Sequence, residues 1–85
     1  MRVARPEVML RRLTVDEALE KLDKFLTQSY TGGWDSVRVI HGKGTGTLRL
    51  EVRRELGRHP LVRSFQDAEP NEGGAGATIA YLSRK

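Results

Sequence analysis

The densest chemistry in this sequence lies in one run, His41-Gly42-Lys43-Gly44-Thr45-Gly46. It follows Ser36 to Ile40, whose Val37, Val39 and Ile40 read as a buried strand. It precedes a helix expected from about Thr47 to Arg58. Glycines at alternate positions let the backbone take positive φ and come close to a ligand. The first N–H groups of a helix lack internal partners, and the helix dipole adds partial positive charge there. The turn is therefore an anion site built from backbone and suited to phosphate. Lys43 adds a mobile positive charge. His41 adds a group that donates, accepts or transfers a proton near neutral pH. The spacing matches neither the Walker loop nor the dinucleotide fingerprint. Three glycines could also serve a tight strand-to-helix turn alone, but a turn needs neither the histidine nor the lysine.

The surrounding elements must hold this loop in place. Residues 1–6 read as a flexible lead-in with Pro6 as a break, and 7–85 as one domain. Glu7 to Arg11 reads as a first strand, with Val8 and Leu10 two apart. Thr14-Val15-Asp16-Glu17 has the form of a capping box, with Leu13 and Ala18 at the staple positions. Val15, Ala18, Leu19, Leu22 and Leu26 follow at helical spacing, flanked by Phe25, and predict a helix to about Gln28. Glu17–Lys21 and Glu20–Lys24 are set for i,i+4 pairing on its exposed side. Leu48, Val52 and Leu56 mark the buried stripe of the second helix, which His59-Pro60 stops. Leu61 to Phe65 and Ala77 to Leu82 read as strands, separated by the turn-rich Pro70-Asn71-Glu72-Gly73-Gly74. The order is β-α-β-α-β-β. Right-handed crossovers put both helices on one face of a four-stranded mixed sheet, a two-layer α/β (α+β) sandwich. The last two strands are expected to pair antiparallel.

The chain has 85 residues and a formal charge of +4, and it has no cysteine. That composition excludes a disulfide staple, a cysteine-ligated metal site and a cysteine nucleophile. No apolar run reaches the roughly 18 residues of a membrane helix, and no signal peptide is evident. A cytoplasmic protein without a membrane partner is the expectation. The charge is concentrated: residues 31–65 carry seven basic and three acidic residues. A basic patch of this kind is the usual footprint of a polyanion.

Arg49 and Arg53 share one face of the second helix, and Arg54 and Arg58 another. Arg49, nearest the loop, is placed to meet a second phosphate. His59 reads as a C-terminal capping cation. Trp34 reads as a cover for the core edge, with stacking on a base as the alternative. The serines at 29, 36, 64 and 83 form no nucleophile elbow, and the carboxylates show no metal-ligand spacing.

Leu13-Thr14-Val15-Asp16-Glu17-Ala18-Leu19, Val37 through Gly46, His59-Pro60 and Pro70 through Gly74 before Ala77-Thr78-Ile79 together resemble the small MutS-related (Smr) domain. More closely, they look like the version at the C-terminus of a bacterial MutS paralogue that suppresses homologous recombination. The resemblance covers about residues 8–82. It implies a fold like the C-terminal domain of translation initiation factor 3. It also implies a nicking endonuclease of low sequence specificity acting on branched or duplex DNA, and some relatives act on RNA at stalled ribosomes. ATPase and dimerisation regions of a larger parent protein are implied as partners. The family's first strand usually reads Leu-Asp-Leu-Arg-Gly or Leu-Asp-Leu-His-Gly, and its Asp and Arg join the loop His in cleavage. Here the stretch is Val8-Met9-Leu10-Arg11-Arg12. Arg11 and His41 keep the catalytic Arg and His positions, Met9 replaces the Asp, and Arg12 replaces the Gly. Glu7, two residues before Met9 on the same side of a strand, is a possible substitute carboxylate.

Two readings of different class follow. In the first, the chain is a nuclease: His41 is the general acid or base, and Arg11, Lys43 and the amides of residues 44–47, from Gly44 on, hold the scissile phosphate. Gly42, Thr45 and Gly46 shape that cradle, and Arg12 and Arg49 grip flanking phosphates. In the second, the same surface binds DNA, or ribosomal RNA, without cutting, and Met9 is the feature that favours this. A divalent cation, magnesium or manganese, is left open as a cofactor, and no metal ligand is assigned. DNA is the first expected partner and RNA or the ribosome the second. Both readings predict salt-sensitive binding of a monomeric domain to phosphates.

Overall fold

The structure is a computed structural model that describes residues 4–44 and 46–83. The elements run β1 (Glu7–Met9), α1 (Val15–Thr31), β2 (Ser36–Ile40), α2 (Thr47–Arg58), β3 (Val62–Asp67) and β4 (Ala77–Leu82), with 3-10 turns at Pro70–Glu72 and Gly74–Gly76. The sheet order is β1-β2-β4-β3. β1 is parallel to β2, and β4 is antiparallel to both β2 and β3. The α+β sandwich is the architecture the element order implied.

Both helices pack on one face. Ala18, Leu22 and Leu26 of α1 and Val52 and Leu56 of α2 meet Val8, Leu10, Val37, Val39, Ala80 and Leu82 of the sheet and its flank. Each fully buried leucine contributes roughly 1.5–3 kcal/mol of burial free energy. The opposite face carries a smaller cluster of Ala68, Ala77 and Ile79. The 3-10 turns cover part of it, since Arg38 donates to the Glu72 carbonyl and Arg5 pairs with the Glu72 carboxylate.

The α1 start is as the sequence predicts. Thr14 Oγ1 accepts from the Glu17 amide at 3.2 Å, and Glu17 Oε1 accepts from the Thr14 amide at 3.0 Å. The helix runs past Gln28 to Thr31, because only the Gly32 cap closes it. Glu17 and Lys21 do not pair with each other: Glu17 serves the cap and Lys21 donates to the Met9 carbonyl. Glu20 and Lys24 likewise form no ion pair among the described residues. β1 ends at Met9 and not at Arg11, because the chain turns through Arg12 at φ 70°. β3 begins at Val62 and continues to Asp67, drawn out by its pairing with β4 as far as Asp67 opposite Thr78. Of the lead-in, residues 1–3 lie outside the described residues. Arg5 Nε donates to Ser36 Oγ, and the Pro6 carbonyl accepts from the Arg38 amide.

Candidate nucleic-acid interface

Parallel β1 and β2 end at the same side of the sheet, so the segments that follow them meet there. The result is an open cleft of about 360 Å³. One wall is Arg12 to Val15, the entry to α1. The other runs from His41 into the first turn of α2. The two helix N-termini differ. That of α1 is closed by its capping box and has Asp16 and Glu17 in its first turn. That of α2 starts on Gly46 at φ 88°, with no side-chain cap and no acid in its first turn. The α2 end is therefore the one suited to an anion.

Gly42 is held from several sides. Its amide and that of His41 both donate to the Gly76 carbonyl, at 2.9 and 3.1 Å. Its φ is 80°, and a Cβ there would lie 2.9 Å from Arg11 Cγ and 3.0 Å from Cδ. The missing side chain is what lets the Arg11 stem lie across the loop. Gly44 also has positive φ. Thr45 lies outside the described residues.

The cations differ in their partners. Arg5, Arg38, Arg49, Arg53, Arg54 and Arg58 all face carboxylates. Arg11, Arg12 and Lys43 have no carboxylate partner among the described residues. All three lie beside the glycine loop. Lys21, Lys24 and Arg63 also lack a carboxylate partner among the described residues, but they lie on α1 and β3, with Lys21 donating to the Met9 carbonyl and Arg63 over the Tyr81 ring. Arg49 lines the cleft, but its Nη2 donates to Asp67 Oδ1 at 2.8 Å, and its Nε is buried without a partner. Arg53 shares that carboxylate at 2.7 Å. Together they hold the Asp67 carboxyl below the usual carboxylate range, the Arg49 hydrogen bond acting most strongly.

Arg12 is the one non-glycine with positive φ among the described residues. It stands where the resemblance puts a glycine, and this backbone conformation is the physical reason for a glycine there. A side chain in this region costs about 1–2 kcal/mol, against roughly 0.5–1 kcal/mol of extra chain entropy for glycine. Arg12→Gly is therefore expected to raise stability by about 0.5–1 kcal/mol, or roughly 3–5 °C in melting temperature. A thermal melt checks this. The same variant is expected to bind nucleic acid more weakly.

His41 is buried on the helix side of the sheet, 4% exposed. Its Nδ1 lies 2.9 Å from the Gly42 carbonyl and its Nε2 lies 2.9 Å from Thr78 Oγ1. A carbonyl only accepts, so Nδ1 carries the proton and Nε2 accepts from the Thr78 hydroxyl. Burial lowers the His41 pKa below its ordinary value. The Gly42 hydrogen bond opposes that, and nearby Arg49 and Arg53 add to it. The ring is neutral near pH 7. Because the folded-state value is depressed, the unfolded chain binds more protons below about pH 6.5, and stability is lost as pH falls through that point. The melting temperature is expected to drop between pH 7.5 and 5, and to drop less in His41→Asn, which keeps a donor for Gly42 but does not titrate.

Glu7 does share a strand face with Met9, but it is the face away from the helices and from His41. Its carboxylate is paired with Arg38. Met9 is 43% exposed on that same face. No three His, Asp or Glu side chains among the described residues are grouped to hold a metal ion. With Asp67 shared by two arginines and Glu7 taken by Arg38, the residues present do not suit a resident divalent ion.

His59 sits at the α2 C-cap. Its Nδ1 accepts from the Leu61 amide, so the proton is on Nε2, which donates to Asp23 Oδ1 at 2.8 Å. It ties the end of α2 to α1. Trp34 precedes β2 at the end opposite the loop, roughly 15 Å away by strand length. It is too distant to stack on a base held at the loop. The residues that sequence reasoning missed are Gly76, Asp67 and Thr78. A threonine in the apolar run Ala77 to Leu82 was the available signal, but only the strand register brings it to His41.

Comparison with known proteins adds to this geometry. The family model for the Smr domain matches residues 9–83. Endonuclease MutS2 of Thermomicrobium roseum is 52% identical over 77 residues, 91% of this chain and 10% of that protein. Endonuclease MutS2 of Thermus thermophilus is 49% identical over 76 residues, again 10% of its length. The chain thus spans about a tenth of these relatives. The crystal structure of the Smr domain of Thermus thermophilus MutS2 superposes with a TM-score of 0.90 at 47% identity, covering 93% of this chain and 99% of that one. YdaL, a stand-alone small MutS-related protein from Escherichia coli, superposes with a TM-score of 0.87 at 30% identity, covering 92% and 64%.

Proposed function

The chain belongs to the Smr domain family, and we propose that it grips the phosphate backbone of DNA and nicks it with little sequence preference. The observation that carries this is the gathering of Arg11, Arg12 and Lys43, without carboxylate partners among the described residues, beside the uncapped α2 N-terminus. Arg11, laid across Gly42, and Lys43 hold the oxygens of the attacked phosphate and the charge that develops there. Arg12 holds a neighbouring phosphate, with Arg49 behind it. His41 supplies the proton acceptor: its Nε2 is the free base. Once Thr78 releases it, it takes the proton of the attacking water as the new P–O bond forms, the P–O bond to the leaving sugar oxygen breaks and that oxygen takes a proton from solvent. No step is routed through a metal ion. Branched or duplex DNA is the proposed substrate, with RNA second, and suppression of recombination the proposed setting. The chain spans about a tenth of its MutS2 relatives, which supports a larger parent protein, and its ATPase and dimerisation regions are the proposed partners.

A second reading has its own support. Both His41 ring nitrogens already have protein partners, and Met9 occupies the family's carboxylate position. On that reading the domain binds DNA without cutting it. Supercoiled plasmid decides between them, incubated with wild type, His41→Ala and Met9→Asp, in magnesium, manganese or EDTA. Open-circular product from wild type, lost in His41→Ala, upholds the nuclease. A gel shift without nicking upholds the binding module, and cutting gained in Met9→Asp then identifies the missing carboxylate as the cause.

A further inference from the structure

Thr78 is fully buried in β4, between Val39 of β2 and Asp67 of β3. Its strand neighbours Ala77, Ile79, Ala80 and Leu82 are apolar. Valine has nearly the same shape, and a buried hydroxyl is costly unless it is hydrogen-bonded. Both of its bonds run toward the site. Arg53 Nη1 donates to Oγ1 at 3.4 Å, and Oγ1 lies 2.9 Å from His41 Nε2. The directions are forced. Because the Gly42 carbonyl takes the Nδ1 proton, Nε2 is an acceptor, and the Thr78 hydroxyl must donate to it. Arg53 is itself fixed by Asp67 and by lying 4.9 Å over the Phe65 ring. The chain of contacts then continues outward: His41 anchors the Gly42 carbonyl, and Gly42 carries the Arg11 stem.

We infer that Thr78 is a positioning residue, whose hydroxyl, by donating to Nε2, holds the His41 ring in place against the Gly42 carbonyl and thereby sets Gly42 and Arg11 for gripping a phosphate. This rests on the phosphate-binding reading above, which both functional alternatives share. Thr78 touches no substrate. It acts through a ring and a backbone turn, linking β3, β4 and α2 to the loop.

The test uses the 85-residue chain with ¹⁵N-labelled histidine, as wild type, Thr78→Ser and Thr78→Val. Ring-nitrogen shifts report which nitrogen holds the proton, and a fluorescein-labelled DNA duplex reports affinity. Wild type and Thr78→Ser are expected to show a protonated Nδ1 and an unprotonated Nε2, with affinities within about twofold of each other. Thr78→Val is expected to leave Nε2 without its donor, to shift the Nε2 and Gly42 amide resonances, and to bind about five- to tenfold more weakly. Unchanged Nε2 and Gly42 resonances with unchanged affinity in Thr78→Val would overturn the assignment, as would a proton on Nε2 in the wild type. If Thr78→Val does not fold, wild type and Thr78→Ser decide by the same nitrogen shifts. A wild type that binds no duplex overturns the functional reading, and the nitrogen-shift comparison then upholds or overturns the link from Thr78 to His41.

Discussion

Removing the three loop-side cations together, as Arg11→Ala, Arg12→Gly and Lys43→Ala, is expected to weaken duplex DNA binding by about two to three orders of magnitude. Each charge-assisted contact to phosphate contributes on the order of 1–1.5 kcal/mol net in an exposed site, or about tenfold. The change should fall equally on unrelated sequences, because phosphate contacts carry no base information. The salt dependence gives the sharper readout. Each lost contact removes about 0.9 from the slope of log affinity against log salt on duplex DNA, so the triple variant should lose about 2.7. The same subtraction at Arg54 and Arg58 is expected to leave the slope nearly unchanged. Those side chains already face Glu51 and Glu55 one turn away on α2. Fluorescence anisotropy at several salt concentrations measures both quantities. Equal slopes for the two variants would move the binding surface to the exposed face of α2.

Gly42→Ala is expected to cost more than its single methyl suggests. At φ 80° the side chain itself costs about 1–2 kcal/mol, or roughly 5–10 °C in the melting temperature of a domain this small. The added Cβ would also stand 2.9 Å from Arg11 Cγ, and a flexible side chain yields before backbone does. Arg11 therefore leaves its place across the loop. DNA affinity is expected to fall about tenfold, as in Arg11→Ala, since the same contact is lost. The two changes share one mechanism, so they are expected not to add: Gly42→Ala in an Arg11→Ala background should cost stability but little further affinity. A double-mutant cycle with melts and anisotropy on the four proteins tests this. Additive losses of affinity would mean that Gly42 acts through its own amide or carbonyl and not through Arg11.

Much of the fold was legible because its signals are local. The Thr14–Glu17 box, the spacing of Ala18, Leu22 and Leu26, and the limits of β2, α2 and β4 each rest on residues a few positions apart. Misread boundaries lie where distant chain decides. The pairing with β4 extends β3 to Asp67, and the turn at Arg12 cuts β1 short at Met9. Glu17 and Lys21 had the spacing for an ion pair, but the cap and the Met9 carbonyl compete better for them.

What the sequence by itself determined is the position of the glycine-rich turn and of the helix start where we propose that a phosphate is held. A glycine-rich turn between a buried strand and a helix has a backbone anion site wherever it occurs, because the amides and the dipole come with the helix start. What only the tertiary structure decided is which charges remain free to use it. Arg49, Arg53 and Glu7 look available in the sequence, yet folding sets the first two against Asp67 and the third against Arg38. Arg11, Arg12 and Lys43 find no such partner among the described residues. The state of His41 was likewise undecided until strand register placed Thr78 at its Nε2 and burial kept the ring neutral. Charge pairing and solvation act through space, and the folded chain alone sets which groups are near one another and which are shielded from water.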